Sequence, residues 1–305
     1  MKSIYIVILN YNNYCDTKEC IDGLLKHQSN ENYNEKIILV DNHSKDGSGD
    51  RLYNDFKNNI IFIKNSVNYG YAAGNNVGIK YAIDHNADFL CVLNNDTLAN
   101  EDFITPCLRY LEENSDVAFV SPTIENYNNN FVQSTGGDIF FEKGCVTVKN
   151  NGSERDNLPQ TVESDYLGGA CLIFKSELIN AIGLIPENYF LFFEETEWCW
   201  KAKKQGLHNI CITTTYIKHK GSASIDTING LHAYLMERNR VVFLRRNAPS
   251  NFIYMRAIIF LTIKYIKKGI FENKNYFKYL KYMSDGKKNI VDSKYPFVHI
   301  ENLKT

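Results

Sequence analysis

Short apolar runs that stop on asparagine or aspartate set the pattern of this chain. Ile4-Tyr5-Ile6-Val7-Ile8-Leu9 ends at Asn10-Tyr11-Asn12, Ile37-Ile38-Leu39-Val40 at Asp41-Asn42, and Phe89-Leu90-Cys91-Val92-Leu93 at Asn94-Asn95-Asp96-Thr97. Continuous apolar runs of this length read as buried strands. Between them lie helical stretches around 17–27 and 49–58, a strand at 60–64, and the loop 68–76, which opens a helix running to about His85. Strand and helix alternating at this spacing predict an α/β fold with a mostly parallel central sheet flanked by helices. Ligands of such sheets bind beyond the carboxyl ends of the strands. Turn chemistry accounts for any one Asn or Asp there, but three strands delivering them to one edge describe a polar, metal-capable pocket.

Beyond residue 100 the pattern changes. A helix is expected over 101–113 and a strand over 117–121. Short alternating runs follow at 130–134, 138–141 and 146–148, separated by Gly136-Gly137 and Asn150-Asn151-Gly152. These predict a small antiparallel excursion, of the kind that shapes an acceptor site. Then come Tyr166–Phe174, the aromatic run Phe190–Phe193 and a helical stretch at Trp198–Lys204. We divide the chain into a first domain at 1–225, whose halves meet near residue 100, and a basic, aromatic, helical C-terminal extension at 226–305.

Composition narrows the class without naming it. The 305 residues are 44% hydrophobic and 23% charged, ordinary for a globular protein. The net charge of −1 hides an asymmetry: Lys and Arg crowd the chain from Arg238 to Lys288, and the part before is correspondingly acidic. None of the eight cysteines forms a Cys-x-x-Cys pair, and several sit in apolar runs as small hydrophobes, which fits a reducing compartment. The N-terminus has no leader-like pattern. The longest apolar run, Ala257–Ile263, falls far short of the roughly 20 residues of a spanning helix. A cytoplasmic protein, soluble or peripheral on the membrane, is expected. The basic, aromatic tail suits a solvated face, an anionic membrane surface or a homodimer contact. Nucleic acid has no recognition motif in its favour.

Several residues could carry chemistry. Asp96 offers a hard oxygen to a divalent cation, and Asn94 can reach a sugar hydroxyl. Glu194 and Glu195 follow phenylalanines that would desolvate them, and desolvation lifts a carboxyl toward a useful general-base range. Helix capping explains Glu197 better. A lone histidine such as His219 is more often a structural hydrogen-bonder than a ligand. Only Asp96 raises its claim to a metal, and spacing alone does not bring the two together. The Gly70…Gly74-Asn75-Asn76 loop could bring backbone close to a phosphate or ribose, although it is not Gly-x-Gly-x-x-Gly.

Taken in order, residues 7–12, 40–48, 68–79, 93–97, Gly168-Gly169-Ala170, Phe193-Glu194-Glu195-Thr196-Glu197 and His219 resemble the family 2 glycosyltransferases, in their bacterial rhamnosyltransferase-like branch. The resemblance runs from about residue 3 to 245. It implies a GT-A fold with a nucleotide-sugar half (1–100) and an acceptor half (101–225), and inverting transfer from a UDP- or dTDP-sugar to a saccharide, lipid-linked in surface-polysaccharide synthesis. Carried over by position, it sets Asn10, Tyr11 and Asp41 at the base and ribose, and Gly74, Asn75, Asn94 and Asn95 elsewhere on the donor. It puts Asp96 and His219 on Mn2+ or Mg2+, with Asn94 replacing the first acid of the Asp-x-Asp motif. Glu195 becomes the base where the family usually has Asp, with Glu194 its neighbour and rival. Gly169 and Trp198 are assigned to the acceptor. The alternatives are a sugar nucleotidyltransferase, which would want a Gly- and Lys-rich loop that Asn10-Tyr11-Asn12-Asn13 does not supply, and a non-catalytic sugar-nucleotide-binding subunit.

Overall fold

The computed structural model describes residues 1–27, 33–221, 230–293 and 298. The first hundred residues form β1 (Lys2–Asn10), α1 (Tyr14–Lys26), β2 (Tyr33–Asp41), α2 (Ser48–Phe56), β3 (Ile60–Lys64), α3 (Gly70–Asp84) and β4 (Phe89–Asn94). Next come β5 (Thr97–Leu98), α4 (Ile104–Glu113), β6 (Val117–Asn126), β7 (Val132–Ser134), β8 (Gly137–Phe140), β9 (Cys145–Val148), β10 (Thr161–Ser164), β11 (Cys171–Lys175) and α5 (Leu178–Ile182). α6 (Glu194–Lys204) and β12 (His208–His219) come next, and α7 (Leu231–Asn247), α8 (Asn251–Phe271) and α9 (Lys278–Lys288) follow.

The sheet runs in the order β10-β12-β6-β11-β4-β1-β2-β3. Its heart is the parallel set β4-β1-β2-β3, and β11 joins β4 antiparallel. Both faces are covered, which is why β1 is apolar without alternation. Ile4, Ile6 and Ile8 pack with Ile21 and Leu24 of α1 and Leu108 of α4 on one side. Tyr5 and Val7 pack with Ile79 and Ala82 of α3 and Trp198 of α6 on the other. Gly78 lets α3 lie close on the sheet, since a Cβ there would stand 2.5 Å from Val7 Cγ1. The antiparallel excursion is present as the separate ribbon β8-β9.

Several boundaries differ from the sequence expectation. β6 runs five residues past Ser121, because Thr123, Ile124 and Glu125 are buried beside β12. α6 starts at Glu194, so the acidic pair lies in the first helical turn rather than ahead of the helix. α7 is not a solvated basic face: Arg238, Val241, Val242 and Leu235 are buried. Among the described residues no helix is long and apolar enough to cross a membrane, and all eight cysteines are free thiols.

Candidate active site

The strand ends build the floor. Asn10 and Asp41 are register partners at the ends of β1 and β2, and Asn94 closes β4 beside Leu9. The Asn10 amide donates to Asp41 Oδ1 at 2.9 Å and to the hydroxyls of Ser44 and Ser48, while Asn10 Oδ1 accepts from Thr17. Ser44 N–H donates to the other oxygen of Asp41. Both residues are fully buried. Asn10 and Asp41 therefore shape this end of the site from beneath and do not present an open face. Tyr11, the next residue, is exposed. Gly74 and Asn75, expected on the donor, also lie behind the surface. A Cβ at Gly74 would meet Leu9 at 2.7 Å, and the Asn75 amide turns back onto Tyr71 O.

The turn after β4 creates the central contact. Thr97 pairs with His219 across the β5–β12 ladder, which sets Asp96 beside the end of the longest strand described. His219 Nε2 stands 3.2 Å from Asp96 Oδ1. Its other nitrogen, Nδ1, is 2.8 Å from Gln133 Oε1. With Nδ1–H donating to Gln133, the Nε2 lone pair faces a carboxylate. A cation between Nε2 and the carboxylate would satisfy both atoms, as would an imidazolium donating to Asp96. A hydrogen bond that fixes the far nitrogen of a histidine is the usual support of a metal ligand. The donor set fits Mn2+ or Mg2+ with the remaining positions filled by other oxygens. Among the described residues no third His, Cys, Asp or Glu joins the pair.

Beside this pair opens a cavity of about 440 Å3, lined by Asn94, Asn95, Asp96 and His219 together with Gly169, Glu194 and Glu195. Seven of the expected site residues thus meet in one space. Asn94 Oδ1 and Glu194 Oε2 are buried without a donor. An unpartnered buried acceptor costs about 1–3 kcal/mol, a cost that ligand hydroxyls could offset. Burial pushes the Glu195 carboxyl up to about 7, against smaller lowering effects from backbone N–H groups and Thr196. Burial, followed by the charge of Glu195, holds the Glu194 carboxyl well above the usual carboxylate range.

The loop that delivers this pair is strained. Phe190, Phe192 and Phe193 have φ of +66°, +69° and +75°, a region costly for bulky residues. Two clamps hold it. Tyr71 N–H donates to Phe190 O at 2.7 Å; Gly70 precedes it at φ +79°, where a Cβ would strike the Phe190 ring. From the other side the Asn239 amide donates to the carbonyls of Tyr189, Leu191 and Phe192. Sequence reasoning missed Asn239, Tyr71 and Gln133. Tyr71 OH donates to Gly169 O at 2.8 Å and so fixes the opposite wall.

Two expectations are corrected. Trp198 does not reach an acceptor: it is fully buried between Phe119 and Phe174, and its Nε1–H donates to Gly183 O. Packing on Phe119 of β6 and Phe174 of β11 holds it on the sheet side of α6. Glu197 is not a helix cap either. It accepts from Arg246 Nε at 2.9 Å, from Asn247 Nδ2 at 2.9 Å and from Tyr189 OH. Burial alone would raise its pKa, but Arg246, Tyr189 and Asn247 outweigh burial and lower it.

A family model described as Glycosyl transferase family 2 matches residues 5–180. The low-salt glycan biosynthesis hexosyltransferase Agl10 of Haloferax volcanii is 25% identical over 85% of this chain and 78% of its own. The dTDP-rhamnosyl transferase RfbF of Shigella flexneri is 23% identical over 92% of each chain. Among solved structures, GalNAc-T7 with UDP, GalNAc and Mn2+ superposes with a TM-score of 0.62 at 13% identity, covering 80% of this chain and 48% of its own. TarS 1-349 of S. aureus in complex with UDP gives a TM-score of 0.54 at 15% identity, over 97% of this chain and 77% of its own. The fold they share is the GT-A fold, and this chain spans about half the length of the GalNAc-T7 chain.

Proposed function

The chain belongs to glycosyl transferase family 2 and is a glycosyltransferase of rhamnosyltransferase-like kind; from that premise we propose an inverting, metal-dependent transfer from a UDP- or dTDP-sugar to a saccharide. One observation carries the proposal: the Asp96–His219 pair and Glu195 line the same cavity. Asp96 and His219 would hold Mn2+ or Mg2+, an ion that supplies positive charge where the nucleoside diphosphate departs. The GalNAc-T7 structure, solved with UDP and Mn2+, supports that reading. Asn94 Oδ1 accepts from a donor hydroxyl, and Tyr11 offers an exposed ring to the base over the floor made by Asn10 and Asp41. Glu195 takes the proton from the acceptor hydroxyl as that oxygen attacks the anomeric carbon. One carboxylate suffices, since a single displacement inverts the centre and needs no enzyme nucleophile.

The names of the two relatives, in glycan biosynthesis and rhamnosyl transfer, support a saccharide acceptor; that it is lipid-linked and met at the cytoplasmic face of a membrane is part of this proposal. Thermal melting across a panel of UDP- and dTDP-sugars, with and without Mn2+, tests the donor reading. A ligand bound only by the folded state raises the midpoint. Asp96→Ala should abolish the Mn2+-dependent part of that rise along with turnover. Activity within a few-fold of the parent would overturn the metal assignment.

A further inference from the structure

Helix α8 leaves one apolar face uncovered. Ala257, Ile258, Leu261 and Tyr265 pack inward with α7 and the Phe141 segment. On the opposite side Phe252, Met255, Ile259, Ile263, Ile266 and Ile270 recur at steps of three and four, all between 38% and 73% exposed. That is an apolar stripe at helical period, running most of a 21-residue helix, about 31 Å at the α-helical rise. An apolar surface this long is seldom left to water. Along one flank stand Arg256, Lys264, Lys267 and Lys268, and α8 contains no acidic residue. Two of these cations have exposed partners, Arg256 with Glu142 at 3.4 Å and Lys268 with Glu272 at 3.5 Å, and exposed pairs of this kind hold weakly.

We propose that α8 lies in the plane of an anionic bilayer surface, with the stripe entering the headgroup boundary and the basic flank meeting lipid phosphates. An apolar stripe, a basic flank and too little apolar length to span are the marks of an interfacial helix. A second copy of the chain set stripe to stripe would bring more cations and no carboxylate from its own helix, whichever way it turned. An anionic surface satisfies the stripe and the cations together. The placement also suits the cavity. Gly144, between Phe141–Lys143 and β9, sits so close under α8 that a Cβ there would stand 2.9 Å from Leu261. β9 ends at Val148, which lines the cavity with Asn151. Through its buried face, α8 therefore adjoins the excursion expected to shape the acceptor side. Delivery of a lipid-linked acceptor rests on the function proposed above; the bilayer contact itself does not.

Sedimentation of the full chain with vesicles tests this. Phosphatidylcholine vesicles containing about a third phosphatidylglycerol should carry the protein down at low salt and release it at high salt, and pure phosphatidylcholine should carry far less. Lys264→Gln with Lys267→Gln should weaken partitioning about fivefold per charge removed. Ile259→Ser with Ile263→Ser should weaken it at every salt concentration. Both pairs are exposed, so the melting midpoint should stay at the parent's value. No binding, binding indifferent to lipid charge and salt, or binding unchanged in both variants would overturn the proposal. A parent dimer that the serine pair converts to monomer would also overturn it and assign the stripe to a second copy. Vesicle binding that persists while no nucleotide sugar stabilises the protein would count against the donor reading and leave this surface standing.

Discussion

At the scale of single residues, the proposed base Glu195 would set the pH at which the site works. Its carboxyl is pushed up to about 7, chiefly by burial behind the phenylalanine loop. A general base acts when deprotonated, so transfer should rise with pH through about 7 and level off above it. Glu195→Gln should keep nucleotide binding and lose roughly 10²–10⁴-fold in kcat, with Glu194→Gln costing less. The reverse order would move the base to Glu194. The same shift governs stability. A folded pKa above the ordinary 4.5 means that the native state holds its proton longer than the unfolded chain. The stability linked to that proton is full below pH 4.5 and is lost as pH rises through about 7. Glu195→Gln should therefore raise the melting midpoint relative to the parent at pH 8 and do little at pH 4. An equal effect at both would show that the carboxyl is not desolvated.

At the scale of elements, a loop and the helix it opens depend on a side chain far away in sequence. Asn239 of α7 ties three carbonyls between Tyr189 and Phe192, where three phenylalanines sit at positive φ. Removing the amide frees the loop to relax and admits water to the acidic pair. Asn239→Ala should lower kcat with little change in nucleotide affinity, because the proposed nucleotide contacts lie outside this loop. It should also move the midpoint of the pH–rate profile below about 7, toward the ordinary carboxyl value. Lost activity with an unmoved midpoint would mean general destabilisation instead. The strands beneath this loop were legible in the sequence because β1, β2 and β4 are buried on both faces and so read as unbroken apolar runs. The polar strand ends were legible for the same reason, since the change from Leu93 to Asn94 is abrupt. The clamp was not. Asn239 is separated from its partners by 47 to 50 residues, and an Asn amid Arg238, Arg240 and Arg245 reads as part of a solvated basic helix. Trp198 misled because its partners Phe119 and Phe174 come from β6 and β11, far away in sequence, so its burial against the sheet could not be read from its place near Glu195. His219 and Asp96 could be joined only by knowing that β5 pairs with β12.

At the scale of the whole molecule, the C-terminal helices are fastened to the catalytic helix by a nearly fully buried carboxylate. Glu197 of α6, 1% exposed, receives Arg246 and Asn247 of α7 together with Tyr189 from the loop. Removing Arg246 leaves the buried Glu197 charge with Tyr189 and Asn247 alone donating to it, at a cost of up to about 3–5 kcal/mol. Arg246→Met should therefore lower the stability of the entire chain, not only that of its tail. Both tryptophans, Trp198 and Trp200, lie on α6, so their fluorescence reports the catalytic side of the joint. Far-UV circular dichroism reports all the helices at once. In urea the two signals should fall together in the parent, and together at lower concentration in Arg246→Met. The Glu197 pKa is lowered in the fold, so this joint contributes above the unfolded carboxyl pKa and is lost as pH falls through the folded one. The gap between parent and variant should accordingly narrow in acid. A circular dichroism transition that precedes an unchanged tryptophan transition would mean that the C-terminal helices detach on their own, and the single cooperative unit would have to be abandoned.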